Sequence, residues 1–363
     1  MSETDLTAAR IYVTRPSVEV DGRRQPLVDA LLLSMEMREQ EGGLSSIELR
    51  FANAALHAGV GADVAFEFSE TDLLGLGAAL VVRLGDAEDP MEVFRGRISA
   101  VEFIADSPGQ PELVVHAEDA LMAARMRRAT KLHPAGSLAD LVRAVAGELG
   151  LRPVITGLTL GLDAQLQMNE TPLGFLRRLL ADHDADLQVV GDELHASPRA
   201  DVARGAITLA LGSQLHRVRA VADLAGQVSE VSIAGFDAAG GRPVAASSGA
   251  GAALGPGRGR SGADILEAAF TRRTDHIADR ALRDQAEAQA LADAAFARRA
   301  RRFVTVEGTS EGNPALRVGT RLALEGLGPR FSNTYYVVRC VHRFDQGAGY
   351  AVDFDAECAF FGG

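Results

Sequence analysis

The sequence predicts a mainly β protein in which a small α/β insert separates two similar β units. Three observations predict it. The two ends of the chain repeat each other: G-A-A-L-V-V-R-L from Gly77 returns as G-T-R-L-A-L-E-G from Gly319. In both copies a turn-rich break, a long strand-like run (93–103 and 335–344) and a closing strand (113–120 and 350–357) follow. The offset is 242 positions at Gly77/Gly319 and 240 at Val101/Val341, so one small gap separates the copies. Near the start, Ile47, Leu49 and Phe51 alternate with Glu48 and Arg50, the period of a strand with one buried face. Helical spacing is strongest in the middle, at Leu138, Leu141, Val142, Val145 and Leu149. Two copies in one chain also match symmetries, because three such chains present six similar units.

In chain order, 1–120 reads as a first β-barrel-like unit, with strands at 11–14, 27–39 and 45–53 before the repeated segment. Gly42-Gly43 marks a turn. Residues 121–200 read as the insert. There Ser137 is an N-cap with Asp140 three residues on, and Gly150 stops the first helix. Thr171 and Pro172 open a second helix through Leu173, Leu176, Leu179 and Leu180. Gly191-Asp192 then signals a two-residue hairpin. Residues 201–245 begin the second β unit, with clean alternation over 228–236. Residues 246–301 are expected to be a Gly/Ala/Ser-rich flexible loop, starting at about 239, and an Ala-rich helix over 277–301 with a weak apolar face. Residues 302–363 complete the second unit.

Composition narrows the function. Of 363 residues 47% are hydrophobic, 5% are aromatic and Trp is absent, so the core is built from small aliphatics. The net charge of −12 and the lack of a dense basic run argue against a nucleic-acid partner. Cationic residues cluster only locally, at Arg128, Arg258, Arg260, Arg272, Arg273 and 298–302, the last at a helix end where cations complement the dipole. Cys340 and Cys358 fall on neighbouring strands and are expected to be free buried thiols. The polar, acidic N-terminus has no apolar signal region, and no stretch approaches a membrane span, so synthesis and folding in the cytoplasm without membrane insertion are expected.

No motif assigns chemistry. The segment 259–261 has Arg where a phosphate-binding loop needs Lys, and Leu254 stands where its first Gly belongs. Asp182, Asp184, Asp186 and Glu193 match positions of a calcium loop, but Leu187 replaces its glycine and the hairpin needs the same residues; a polar helix end is expected. The eight histidines are dispersed. Asn169-Glu170-Thr171 fits a glycosylation sequon, yet Thr171 is better used as a helix cap. Catalytic, cofactor-binding and metal-ligating residues are therefore all expected to be none, and the protein is expected not to be an enzyme.

Several segments resemble a known family in order along the chain. They are V-F-R-G-R-I-S-A-V-E-F from Val93, P-E-L-V-V-H-A-E-D-A-L from Pro111, Q-M-N-E-T-P-L-G-F-L-R-R-L-L from Gln167 and G-D-E-L-H from Gly191. V-E-G-T-S-E-G-N-P-A-L-R-V-G from Val306 and F-S-N-T-Y-Y-V-V-R-C-V-H-R-F-D from Phe331 complete the set. Together they are similar to phage late control protein D and the N-terminal hub part of VgrG, baseplate hubs of contractile tails. The resemblance covers about 44–360 and is weakest in the Gly-rich loop and Ala-rich helix. It implies a structural homotrimer with two β-barrel tube domains per subunit. Such a ring joins a hexameric tail tube to a trimeric spike and contacts other baseplate proteins. The sequence resembles the hub-only form, whose spike is a separate protein and which ends up in the baseplate of a phage tail or injection particle. Two other readings stay open: a tail-associated cell-wall hydrolase or peptidoglycan-binding module, with the insert as glycan binder, and an oligomeric barrel for a small ligand.

Overall fold

A computed structural model describes residues 12–54, 66–68, 72–86, 89–238, 240–249, 251–278 and 281–362. The expected strand residue Ile11 and the N-terminal segment before it lie outside the described residues. We label the six principal strands of each unit in chain order. The first unit has β1 (Tyr12–Val20), β2 (Leu32–Gln40), β3 (Ser46–Ala52), β4 (Ala79–Asp86), β5 (Pro90–Ile104) and β6 (Glu112–Glu118). The second has β7 (Ala206–Ala210), β8 (Leu215–Ala222), β9 (Val304–Glu311), β10 (Arg321–Glu325), β11 (Asn333–Asp345) and β12 (Gly349–Cys358).

The strand order is the same in both: β1-β4-β5-β6-β3-β2 and β7-β10-β11-β12-β9-β8. Five of the six strands share their pairing sense as well. The exception is the first, since β1 runs antiparallel to β4 while β7 runs parallel to β10. Two β-bulges recur. One falls between Leu32 and Ser34 in β2 and between Leu215 and Arg217 in β8; the other falls between Ile98 and Ala100 in β5 and between Val337 and Arg339 in β11. A bulge inserts one residue and turns the strand, so its recurrence fixes the alignment more tightly than apolar patterning does. These registers make Ala100 the counterpart of Arg339 and Val101 the counterpart of Cys340. The Val101/Val341 equivalence expected from the sequence is therefore one residue out.

Among the described residues the two units do not close as separate barrels. Strand β11 pairs antiparallel with β2, from Arg339↔Gln40 to Asp345↔Ser34, so both belong to one thirteen-stranded sheet that includes the short Arg23–Arg24 strand. The core follows this junction. Phe344 packs with Leu32, Met35, Met37, Ile47, Leu49 and Phe51 of the first unit, and Tyr350 touches the cores of both.

Three sequence expectations are corrected. The run 27–39 is not all strand: Pro26 sits at the first helical position and starts a turn of helix, Pro26–Leu31, before β2. The segment expected as a loop contains a strand, because Arg242–Gly249 pairs along its length with Glu230–Asp237, small side chains being no obstacle to an edge strand. The Ala-rich helix is Gln285–Ala300, and Thr274–Ile277 before it is a strand. Its small residues Ala288, Ala292 and Ala295 are buried with Leu291 and Phe296, so the face that looked weakly apolar is the one that packs closely on that hairpin.

The insert forms as its caps predict. Ser137 and Asp140 make a reciprocal capping box at helix Leu138–Leu149, and Gly150 ends it at φ 70°. Thr171 Oγ accepts the Gly174 N–H at 3.0 Å at the start of helix Pro172–Asp182. Strands Ala185–Val190 and Glu193–Pro198 form the hairpin around Gly191-Asp192.

Candidate functional site: a charged seam between the two units and the insert

Where the two units and the insert meet, the structure buries charge. The alternation that turns Met35 and Met37 inward on β2 also turns Glu39 inward, and it is buried. Glu39 pairs with Arg317 and accepts the Val318 N–H at 3.4 Å, while Gln188 of the insert donates to it at 3.4 Å. Burial alone would raise its carboxyl; the Arg317 charge and hydrogen bond outweigh this and hold it below the usual range. The neighbouring His342 is pushed down to about 4, by burial and then by the Arg317 charge, so its ring is neutral. Its Nδ1 lies 2.7 Å from the Tyr350 hydroxyl.

A second layer lies beside it. Arg199 pairs with Glu41 and, at 3.3 Å, with Glu357, and its guanidinium stacks 4.0 Å from the centre of the Tyr336 ring. Arg301 joins Asp184 to Glu357, the latter at 3.3 Å. Arg204 pairs with the fully buried Asp186 at 2.7 Å. Burial raises Glu41 to about 7, against the pull of Arg199 and helped by Asp186, Glu357 and Asp184. Burial likewise raises Asp184 to about 6, opposed by Arg199. Each carboxylate here faces a guanidinium fixed by a neighbouring element. Such a seam suits fixing three chain segments in one geometry, since removing a single partner leaves a buried charge uncompensated. Beside it opens a cleft of about 450 Å³, where Arg177 donates to the carbonyls of Gly42 (2.7 Å) and Gly43 (2.5 Å).

The sequence candidates fall as follows. Asp184 and Asp186 are not a solvated helix end but members of this seam, held by different arginines. Glu193 points elsewhere, pairing with Arg152 and His195, the latter at 2.6 Å. Asp182 closes its helix. Among the described residues no group of three metal-binding side chains converges. The glycine-rich segment ends in order: Ser261 caps helix Gly262–Ala269, Arg260–Ser261 pairs with Phe360–Phe361, and the Asn333 side chain bonds the Arg258 backbone on both sides, at 3.1 and 2.8 Å. Cys340 and Cys358 are free and buried; Cys340 pairs in register with Phe354, so the two cysteines do not face each other. Among the described residues no helix is long and apolar enough to cross a membrane. Sequence reasoning missed the seam itself. Its one legible sign was an acidic residue, Glu39, at a core position of an alternating strand.

The other feature is the pairing at the rim of the sheet. Strand β5 pairs with β4 through its first half, Pro90 to Arg97, and with β6 through its second, Arg97 to Ile104. Along Ala100–Ile104 the edge on the β4 side carries no strand among the described residues, and Phe66 packs on Phe103. Among the described residues strand β8 ends the sheet with β9 as its one strand neighbour, and Leu215 makes an isolated bridge to Leu211. Both edges carry exposed apolar side chains: Val101 (39%) and Phe103 (51%) on β5, Val221 (37%) on β8.

This architecture is shared. A family model described as the Alg8 N-terminal domain matches residues 47–346. No curated protein matches the sequence. Among solved structures, the 43 kDa tail protein of prophage MuSo2 from Shewanella oneidensis is similar at a TM-score of 0.67 and 14% identity, covering 94% of this chain and 97% of that one. The tail protein from Neisseria meningitidis MC58 gives a TM-score of 0.65 at 12% identity, over 94% and 96% of the two chains. The E. coli c3393 protein, described as a type VI secretion component structurally similar to T4 bacteriophage tail proteins gp27 and gp5, gives 0.60 at 12% identity, over 94% and 76%. At these identities the likeness is one of fold.

Proposed function

We propose that this chain, which belongs to the Alg8 N-terminal domain family, is a structural hub of a contractile tail or injection system, a reading that rests on its fold and internal repeat and not on that family match. In this reading three copies form a ring between a hexameric tail tube and a trimeric spike, with other baseplate proteins around it. The observation that carries it is the internal duplication: two units of identical strand order lie side by side in one sheet. Three chains then present six near-equivalent units, which is what a sixfold tube requires of a threefold partner. The fold shared with the Shewanella and Neisseria tail proteins supports the same reading. Residues 1–120, and 201–222 with 302–363, are the tube-forming domains; 121–200 decorates the outside, as does the separate three-stranded sheet of 230–249 and 274–277 with its helix, in which the expected boundary at 245 falls. The role is geometric rather than catalytic. The seam agrees with this, since its buried carboxylates are committed to arginines that tie the insert to both units.

Multi-angle light scattering of the pure protein should give three chains per particle at high concentration. Co-expression with the tube and spike proteins of the same gene cluster should yield a complex containing all three. A stable dimer or tetramer, or hydrolysis of cell wall by the pure protein, would overturn the reading.

A further inference from the structure

We propose that the outer face of a two-stranded ribbon in the insert is a docking surface for a partner-protein segment that carries apolar side chains flanked by carboxylates. The inference goes beyond the hub reading and does not depend on it.

The ribbon pairs Ala129–His133 antiparallel with Gln165–Glu170. Its alternation is inverted. A strand pair packed on a core normally turns apolar residues inward and polar ones to water. Here His133 and Gln167 are buried, while Leu132 (65%), Leu166 (46%) and Met168 (64%) are exposed. The register sets Leu132 directly opposite Leu166, so the two share the outer face, and Met168 follows on the same side. The inner pair fixes this choice. His133 Nε2 lies 3.1 Å from Gln167 Oε1, and its ring stacks on Phe175 with centres 4.7 Å apart. Gln167 also donates to the Glu170 carbonyl at 2.8 Å. A slip of one residue would exchange the faces and bury the leucines. The chain instead satisfies two polar side chains inside and holds three large apolar ones in water. The stability of the insert does not call for that arrangement; a partner that covers the outer face does.

Charge gives the partner's chemistry. Arg125, Arg127, Arg128 and Lys131 fall within seven positions of a chain whose net charge is −12. Their carboxylate partners are fewer. Glu118 pairs with Arg125, and Glu148 is shared between Arg127 at 3.5 Å and Lys131 at 3.6 Å. Arg128 meets no carboxylate among the described residues. It donates to the Asn169 carbonyl at 2.8 Å, next in the chain to Met168. Arg127 is extended, so Arg128 enters the strand on the same side as Leu132. An apolar patch with excess cation at its rim fits a segment that sets acidic residues beside apolar ones. A protein segment fits better than an anionic lipid surface, which would repel a chain of this net charge.

The test uses the full chain and a short probe peptide in which leucine alternates with glutamate, titrated by calorimetry. A matched peptide with arginine in place of glutamate, and vesicles of phosphatidylserine and phosphatidylcholine, supply the contrasts. The acidic peptide should bind and the basic one should not. Leu132→Asp combined with Met168→Asp should weaken binding about tenfold or more, and Arg128→Glu should weaken it too. These positions are exposed, so the variants should melt at the parent's temperature; if the aspartates disturb the ribbon, Leu132→Ser with Met168→Ser replaces them. No binding of the acidic peptide, equal binding of both peptides, or affinity unchanged in the variants would overturn the proposal. Vesicle binding that the same variants abolish would give the surface to a membrane, and self-association that they abolish would give it to a second copy; either overturns a protein partner of this chemistry. No readout involves trimer formation, so the hub reading stands or falls separately.

Discussion

Gly77 and Gly319 occupy the same turn in the two units. Each has positive φ, 83° and 89°. The Gly77 N–H donates to the Ile98 carbonyl at 2.8 Å and the Gly319 N–H to the Val337 carbonyl at 2.9 Å. In return Ile98 donates to Ala78 at 3.0 Å and Val337 to Thr320 at 3.1 Å. The sequence repeat therefore marks an equivalent backbone geometry. It also separates the two positions energetically. An alanine at either site is held in left-handed backbone at a cost of about 1–2 kcal/mol. At Gly77 a new Cβ meets open space; at Gly319 it would lie 2.8 Å from Val202 Cγ1 and 2.9 Å from Arg204 Nη1. Gly319→Ala should thus destabilise clearly more than Gly77→Ala in denaturant unfolding. Equal losses would mean that the seam around Arg204 yields freely.

Arg199 should be the most sensitive cation of the seam. Its guanidinium is buried between Glu41, Glu357 and the Tyr336 ring. Arg199→Met keeps the volume and leaves Glu41 without its partner, while Glu357 keeps Arg301, a loss of about 3–5 kcal/mol. Arg143, paired with Asp140 on an exposed helix face at 2.6 Å, supplies the contrast: Arg143→Met should change stability by no more than about 1 kcal/mol. Adding Glu41→Gln to Arg199→Met should recover part of the loss. Equal effects of the two arginine variants would show that the seam is not structural.

The sequence reveals what depends on short-range pattern and hides what depends on packing between distant segments. Ser137, Thr171, Gly150 and Gly191-Asp192 act on neighbours within a few residues, so the insert's helices and hairpin were legible. Pro26 was equally local, but the apolar run after it looks the same as helix or strand. The β11–β2 join links residues about 300 positions apart, and no pattern in either strand names the other. The buried ion pairs were hidden for the same reason. Asp184 and Asp186 read as a polar helix end because Arg301 lies 117 positions from Asp184 and Arg204, though nearer Asp186, is still beyond the reach of a local pattern.

Acid stability should turn on His342. Its folded value of about 4 lies below the ordinary 6.5. A depressed histidine contributes stability that is complete above 6.5 and lost as pH falls through about 4, worth up to about 3 kcal/mol. Glu41 and Asp184 act in the opposite sense. Their folded values of about 7 and about 6 exceed the ordinary 4.5 and 3.8, so their contribution is complete below those ordinary values and is lost as pH rises through the folded ones. The two trends offset each other between about pH 4 and 7. His342→Gln removes the first and should leave a melting temperature that falls steadily from pH 4.5 to 7. A profile unchanged from the parent would show that the imidazole does not titrate in this window.

Asp186 decides between the calcium reading of 182–193 and the seam. Its side chain is fully buried, accepts the Gly42 N–H at 3.2 Å and pairs with Arg204, which in turn donates to the Val318 carbonyl at 3.3 Å. It thereby ties the insert to the first unit through Gly42 and to the second through Arg204. Asp186→Ala would strand a half-buried guanidinium and an amide, so a loss of about 3–5 kcal/mol is expected. Removing both partners with Asp186→Leu and Arg204→Met should cost less than Asp186→Ala alone, because no charge is then left unpaired. Calcium should not change the melting temperature of the parent protein, since Asp184, Asp186 and Glu193 are each committed to a different arginine. A calcium-dependent rise that Asp186→Ala abolishes would instead restore the metal loop.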